Sequence, residues 1–161
     1  MENQQKIMKK KILLLFFIII WLLSSISFIQ THLTNDFFVF WGWAKQVSLS
    51  DESGLSALIS TWEIKGLLSR LFYYDLYSIT TLFTDKFDLI GQCIYKTIAY
   101  IQLNLILLIA IIAIPQQYIK DTYTKIVTFL VCSILLMDIH FSSHLQPEYI
   151  ATYFIILSFT L

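Results

Sequence analysis

Long apolar runs separated by short polar stretches are the dominant pattern of the chain. Residues 12–29 carry no charge, and as a helix they would extend about 27 Å, enough to cross the apolar core of a bilayer. A second uncharged run covers 97–118. A third run begins at Ile126 and must extend to about residue 145 to cross the bilayer. Residues 149–161 form a further apolar run, which we interpret as a truncated fourth span. The pattern predicts an all-α, polytopic transmembrane protein.

The segment between the first two spans, residues 30–96, is too apolar for an ordinary loop. Several aromatic residues crowd its first part, and apolar residues recur at helical spacing further on. We therefore expect helices that lie on the membrane surface. The residues concerned are Phe37, Phe38, Phe40, Trp41, Trp43, Leu55, Leu58, Ile59 and Trp62.

Composition supports one membrane domain that covers the whole chain. Of the 161 residues, 57% are apolar, which exceeds the proportion usual in soluble domains. The 11 basic and 11 acidic residues balance, so the net charge is zero. Because no basic excess exists, nucleic acid is not an expected partner, whereas membrane lipids are.

The distribution of lysine predicts the orientation of the chain. Lysines cluster before the first span and in the turn at 116–125, whereas 140–148 contains neither Lys nor Arg. By the positive-inside rule, the N-terminus is cytoplasmic, residues 30–96 lie outside, and the plasma (inner) membrane is the expected location. A signal peptide is the alternative for the first run, but its length and the lack of an A-x-A site favour an uncleaved anchor.

Asp36 is the first candidate for chemistry, because it follows the first span closely and precedes the aromatic stretch. A carboxylate at a boundary between water and lipid could act as a base or bind a cation. The alternative is structural, since Asn35 and Asp36 are both residue types favoured at the N-cap of a helix.

His140, His144 and Glu148 recur every four residues. On a helix they would share one face and could ligate a divalent cation, although Pro147 disfavours helical geometry just before it. The alternative is that these polar groups mark the point where the third helix leaves the membrane.

Three other charged residues are candidates on grounds of position. Asp138 would lie inside the outer leaflet, where an ionisable group is costly unless it faces protein or a wet cavity. Lys65 and Arg70 would lie on a surface helix, where they could meet lipid phosphates or a phosphorylated substrate. Snorkelling to the headgroups is the alternative for both cations.

The order of these features resembles the GT-C class of membrane glycosyltransferases. The segment Thr34 to Trp41 is similar to the acidic segment that follows the first span in that class, and His140 to Tyr149 is similar to its polar loop between the third and fourth spans. The resemblance implies a lipid-linked sugar donor, with Asp36 as general base and Glu148 in the same outer cavity.

The same resemblance assigns roles to the remaining candidates. Lys65 and Arg70 would stabilise the departing phosphate, and His144 and Glu148 would hold the acceptor. A divalent cation would be the cofactor, with Asp36, His140 and Glu148 as its ligands.

The chain also departs from the GT-C pattern. Members usually have eight or more spans and often a pair of acids at the first site, whereas this sequence predicts about four spans and has only Asp36 there. We therefore expect an N-terminal part that works with further C-terminal helices or with partner subunits. The rival interpretation is a non-catalytic membrane protein, such as a flippase, polymer exporter or assembly subunit, or an inactive remnant.

Overall fold

A computed structural model describes residues 2–30, 35–49, 67–115, 117–119, 121–138 and 147–160. The described residues form helices and connecting turns, with no strand among them. The helices of the described residues are α1 (Glu2–Gln30), α2 (Asn35–Leu49), α3 (Leu67–Thr81), α4 (Leu89–Ala113), α5 (Thr122–Asp138) and α6 (Pro147–Thr160). The all-α prediction is confirmed for this part of the chain.

Among the helices that the structure describes, two are long and apolar enough to cross a membrane. They are the Gln4–Ile29 part of α1 and the whole of α4, while α5 and α6 contain shorter apolar stretches. The predicted span at 97–118 differs from α4 at both ends, because α4 begins at Leu89 and ends before Pro115. Proline lacks the backbone N–H that would continue the helix. Lys96 lies inside α4, and its ammonium contacts the Ile29 carbonyl oxygen and the Phe28 ring.

The directions of three helices follow from side-chain hydrogen bonds. The Tyr123 hydroxyl donates to the carbonyl of Lys10, and the Trp21 indole donates to the Ser133 hydroxyl, so α1 and α5 run parallel. The Lys96 ammonium lies 3.4 Å from the Ile29 carbonyl oxygen, and the Tyr100 hydroxyl hydrogen-bonds that of Ser25, so α4 runs antiparallel to α1. We call the end of the bundle at Lys10 and Tyr123 the basic end, and the end at Ile29 and Lys96 the aromatic end.

Helix α4 is the centre of the bundle, because α1, α3, α5 and α6 all pack against it. At its start, the Asp88 carboxylate accepts a 2.9 Å hydrogen bond from the Gly91 backbone N–H, an N-cap interaction. At its end, the Lys125 ammonium donates to the carbonyls of Ile112 and Ile114. A cation therefore satisfies terminal carbonyls and complements the negative end of the helix dipole.

Helix α5 begins with an equivalent cap at the basic end. The two oxygens of Asp121 accept hydrogen bonds from the hydroxyl and the backbone N–H of Thr124. These bonds stabilise the ionised form, so they hold the pKa of the Asp121 carboxyl below its ordinary value.

Helix α2 is attached to the bundle by aromatic contacts. Phe40 stacks on Tyr73 with ring centroids 4.2 Å apart, and Trp41 stacks on Phe87 at 4.3 Å and meets Tyr95 edge-on. Such pairs combine a large buried area with a defined ring geometry. The aromatic stretch of the sequence thus forms a helix, as predicted, and the rings of Phe40, Trp41 and Trp43 are buried. Leu55, Leu58, Ile59 and Trp62 lie outside the described residues.

Helix α3 runs antiparallel along α4. Gln102 of α4 hydrogen-bonds Asp75, and Leu71 and Phe72 share a cavity with Leu105 and Ile106, one turn further along α4. The sequence predicts a surface helix here, and the structure shows that this helix packs along α4 as far as the middle of its length. The reason is a strongly apolar face of α3 that α4 and α2 cover, formed by Phe72, Tyr73, Leu76 and Thr80.

Candidate functional site

Lys96 is the buried cation of the aromatic end. Its side chain is 1% exposed, its ammonium approaches the Ile29 carbonyl in the last turn of α1, and it lies 5.5 Å from the centre of the Phe28 ring. A helix C-terminus and an aromatic face both attract a cation. Lys96 therefore ties the start of α4 to the end of α1.

A chain of hydrogen bonds links three helices midway between the two ends. The Trp21 indole donates to the Ser133 hydroxyl over 2.9 Å, and that hydroxyl donates to the Asn104 amide oxygen over 2.6 Å. The Asn104 amide nitrogen donates to the Tyr100 carbonyl within α4. The helices α1, α4 and α5 thus each contribute one polar side chain to this chain of hydrogen bonds.

A second polar contact joins α1 and α4 one turn closer to the aromatic end. The hydroxyls of Ser25 and Tyr100 share a hydrogen bond, and the Ser25 hydroxyl also donates to the Trp21 carbonyl. Because both residues are more than nine-tenths buried, these bonds are shielded from solvent. Buried polar contacts of this kind fix the register of neighbouring helices.

The structure places Asp36 in the first turn of α2, just beyond the end of α1. The same helix holds Phe38 against Phe87 at 5.4 Å and Trp41 against Tyr95, at the start of α4. The backbone of Asp36 therefore lies near the aromatic end. Because α2 begins at Asn35, Asp36 stands inside the helix, one position later than Asn35.

Arg70 is not brought to the same level as the first turn of α2. It precedes Leu71 and Phe72, which face Leu105 and Ile106 of α4, whereas the end of α3 is about 16 Å further toward the aromatic end. Arg70 therefore lies beside the middle of the bundle, at the level of Leu105 and Ile106 of α4.

The other predicted residues lie next to, or outside, the segments that the structure describes. Asp138 is the last residue of α5, at the aromatic end, and Glu148 lies in the first turn of α6. Lys65, His140 and His144 lie outside the described residues. Within the described ranges, no three His, Cys, Asp or Glu side chains are grouped closely enough to hold a metal ion.

Comparison with known families, curated proteins and solved structures finds no match for this chain. Its function must therefore be argued from its own residues.

The Asp75 and Gln102 pair is among the polar contacts that the sequence analysis does not predict. The Gln102 amide nitrogen donates a hydrogen bond to the Asp75 carboxylate, across the α3 and α4 interface. Gln102 is a polar residue near the middle of the apolar α4, two positions before Asn104, and a polar residue inside an apolar run is a signal that the sequence contains. Asp75 itself gave no such signal, because it lies in a segment that also contains Asp85, Lys86 and Asp88.

Proposed function

We propose that the chain is a polytopic membrane protein with its basic end in the cytoplasm and its aromatic end outside. The support is the agreement between two independent patterns. The basic end collects Lys10 and Lys125, as the positive-inside rule requires, and α1 and α4 have the length and composition of spans. In this topology, Asp36 is extracytoplasmic.

We further propose that it forms the N-terminal part of a GT-C-like glycosyltransferase, which moves a sugar from a lipid-phosphate carrier to an extracytoplasmic acceptor. The observation that carries the proposal is the position of Asp36, in the first turn of a helix that begins directly after a span. Aromatic packing of Trp41 and Phe40 anchors that helix to the bundle. An acid is thus held on a rigid element close to the membrane boundary.

In the proposed reaction, Asp36 accepts the proton of the acceptor hydroxyl. The acceptor oxygen then bonds to the anomeric carbon while the bond from that carbon to the phosphate oxygen of the carrier breaks, with inversion. Lys65 would stabilise the negative charge that develops on the phosphate. Arg70 is left out of this step, because it lies at the level of Leu105 and Ile106, away from the first turn of α2. His144 and Glu148 would bind the acceptor, and a divalent cation held by Asp36, His140 and Glu148 remains part of the hypothesis.

The test is sugar transfer from a lipid-linked donor by membranes that contain the complete protein. Asp36→Asn should lower the turnover by about 100-fold or more, the usual contribution of a general base. Asp85→Asn, which alters an exposed acid in the turn before α4, is the matched control and should retain wild-type turnover. Wild-type turnover of Asp36→Asn at equal protein level would remove Asp36 from the mechanism.

The second candidate is a non-catalytic flippase, polymer exporter or assembly subunit. The observation that favours it is the Asp75 and Gln102 pair, because an ionisable group beside the middle of a span is typical of a transport path. Loss of substrate movement in Asp75→Asn, together with unchanged behaviour of Asp36→Asn, would favour this candidate over the transferase.

A further inference from the structure

A cavity of about 390 Å³ lies between α3, α4 and α6. Its walls are apolar except at Asp75 and Gln102, and its volume falls within the range of pockets that bind small molecules. The apolar walls are Leu71, Phe72, Leu105, Ile106 and Phe154. It is separate from the aromatic end, where Asp36 lies.

The polar groups of the cavity present hydrogen-bond acceptors. Asp75 offers a carboxylate that is exposed and that receives one hydrogen bond from the Gln102 amide nitrogen. The Gln102 carbonyl oxygen is buried and has no donor among the described residues. A buried acceptor without a donor is costly, so a ligand that supplies N–H groups would gain binding energy here.

The depth of the pair adds to this argument. Gln102 lies about 20 Å along α4 from Leu89, near the middle of a helix long enough to span a membrane. This step rests on the proposed membrane topology, in which a carboxylate at that depth is costly in its ionised form unless a cation or a wet cavity accompanies it. Positive charge is therefore the complement that Asp75 requires.

We propose that this cavity binds a small amphipathic amine, with its ammonium group between Asp75 and Gln102 and its apolar body against the cavity walls. The ammonium would donate to the carboxylate and to the Gln102 oxygen, which fills the vacant acceptor. The side chains of Phe72 and Phe154 line the cavity and would pack against an alkyl or aryl body. A bare metal ion fits less well, since hard cations require six or more oxygen ligands.

The proposal is tested with the full chain purified in detergent and three probes of the same shape: 4-phenylbutylamine, 4-phenylbutanol and 4-phenylbutyrate. Binding is measured by ligand-observed NMR, with protein-free micelles subtracted. We expect the amine to bind at least about tenfold more tightly than the alcohol, because only the ammonium pairs with the carboxylate. The carboxylate probe should bind least.

Two variants locate the site. Asp75→Asn keeps the size of the side chain but removes its charge, and should weaken amine binding about tenfold while leaving alcohol binding unchanged. Asp85→Asn should bind the amine as the wild type does. Equal binding of amine and alcohol by the wild-type protein, the behaviour expected of a pocket for lipid chains, would overturn the proposal even if Asp75→Asn failed to fold. Unchanged amine binding by a folded Asp75→Asn protein would overturn it as well.

Discussion

Gly91→Ala should destabilise the protein by about 2 kcal/mol, since forced overpacking costs about 1–3 kcal/mol. A Cβ atom at Gly91 would overlap the backbone carbonyl of Lys86, and backbone atoms cannot move aside as a flexible side chain can. The turn 84–88 would have to shift, and with it the cap that Asp88 provides for α4. The measurement is reversible unfolding in mixed detergent micelles.

Gly42→Ala is the matched control for this prediction. Gly42 also lies within a helix, but an added Cβ there would meet no atom within 4 Å. Since alanine favours helix over glycine by about 1 kcal/mol, we expect Gly42→Ala to be neutral or stabilising. Equal destabilisation by both substitutions would contradict the close approach of the 84–88 turn to α4.

Asn104→Ala should destabilise the bundle by about 1–3 kcal/mol, the cost of leaving a buried polar group unsatisfied. Asn104 is 8% exposed and accepts the hydrogen bond of the Ser133 hydroxyl, which in turn accepts from Trp21. Its removal therefore disturbs the contacts between α1, α4 and α5 together.

A double-mutant cycle separates this effect from the simple loss of side-chain volume. Asn104→Ala combined with Ser133→Ala should cost less than the sum of the two single changes, because the second change removes a group that the first left unsatisfied. Ile109→Ala, on the exposed face of α4, is the control and should cost less than Asn104→Ala. Strict additivity in the cycle would contradict the Asn104 and Ser133 contact.

Local signals in the sequence were sufficient to predict the helices. Uncharged runs located α1 and α4, the aromatic stretch located α2, and Pro115 marks the point beyond which α4 does not continue. The start of α4 was harder to place, because Lys96 looked like the boundary of a span. Its charge is accommodated by the Ile29 carbonyl and the Phe28 ring, which are distant in sequence.

The arrangement of α3 and the polar contacts could not be predicted in the same way. A charged, amphipathic helix such as α3 is compatible with a membrane surface or with a neighbouring helix, and only the partner decides. The partner of Asp75 is 27 residues away in sequence, and that of Trp21 is 112 residues away. Asp36 was found by its position after a span, whereas its role as a base stays a prediction.

The proposed topology is tested most directly by determining on which side of the membrane each end of the bundle lies. With Cys93 and Cys132 replaced by serine, a single cysteine is introduced either at Asp85, in the exposed turn before α4, or at Gln117, in the exposed turn before α5. Intact cells are then treated with a membrane-impermeant thiol reagent. The account predicts labelling of Asp85→Cys in intact cells and labelling of Gln117→Cys only after permeabilisation. Labelling of both from the same side, or the reverse order, would contradict it.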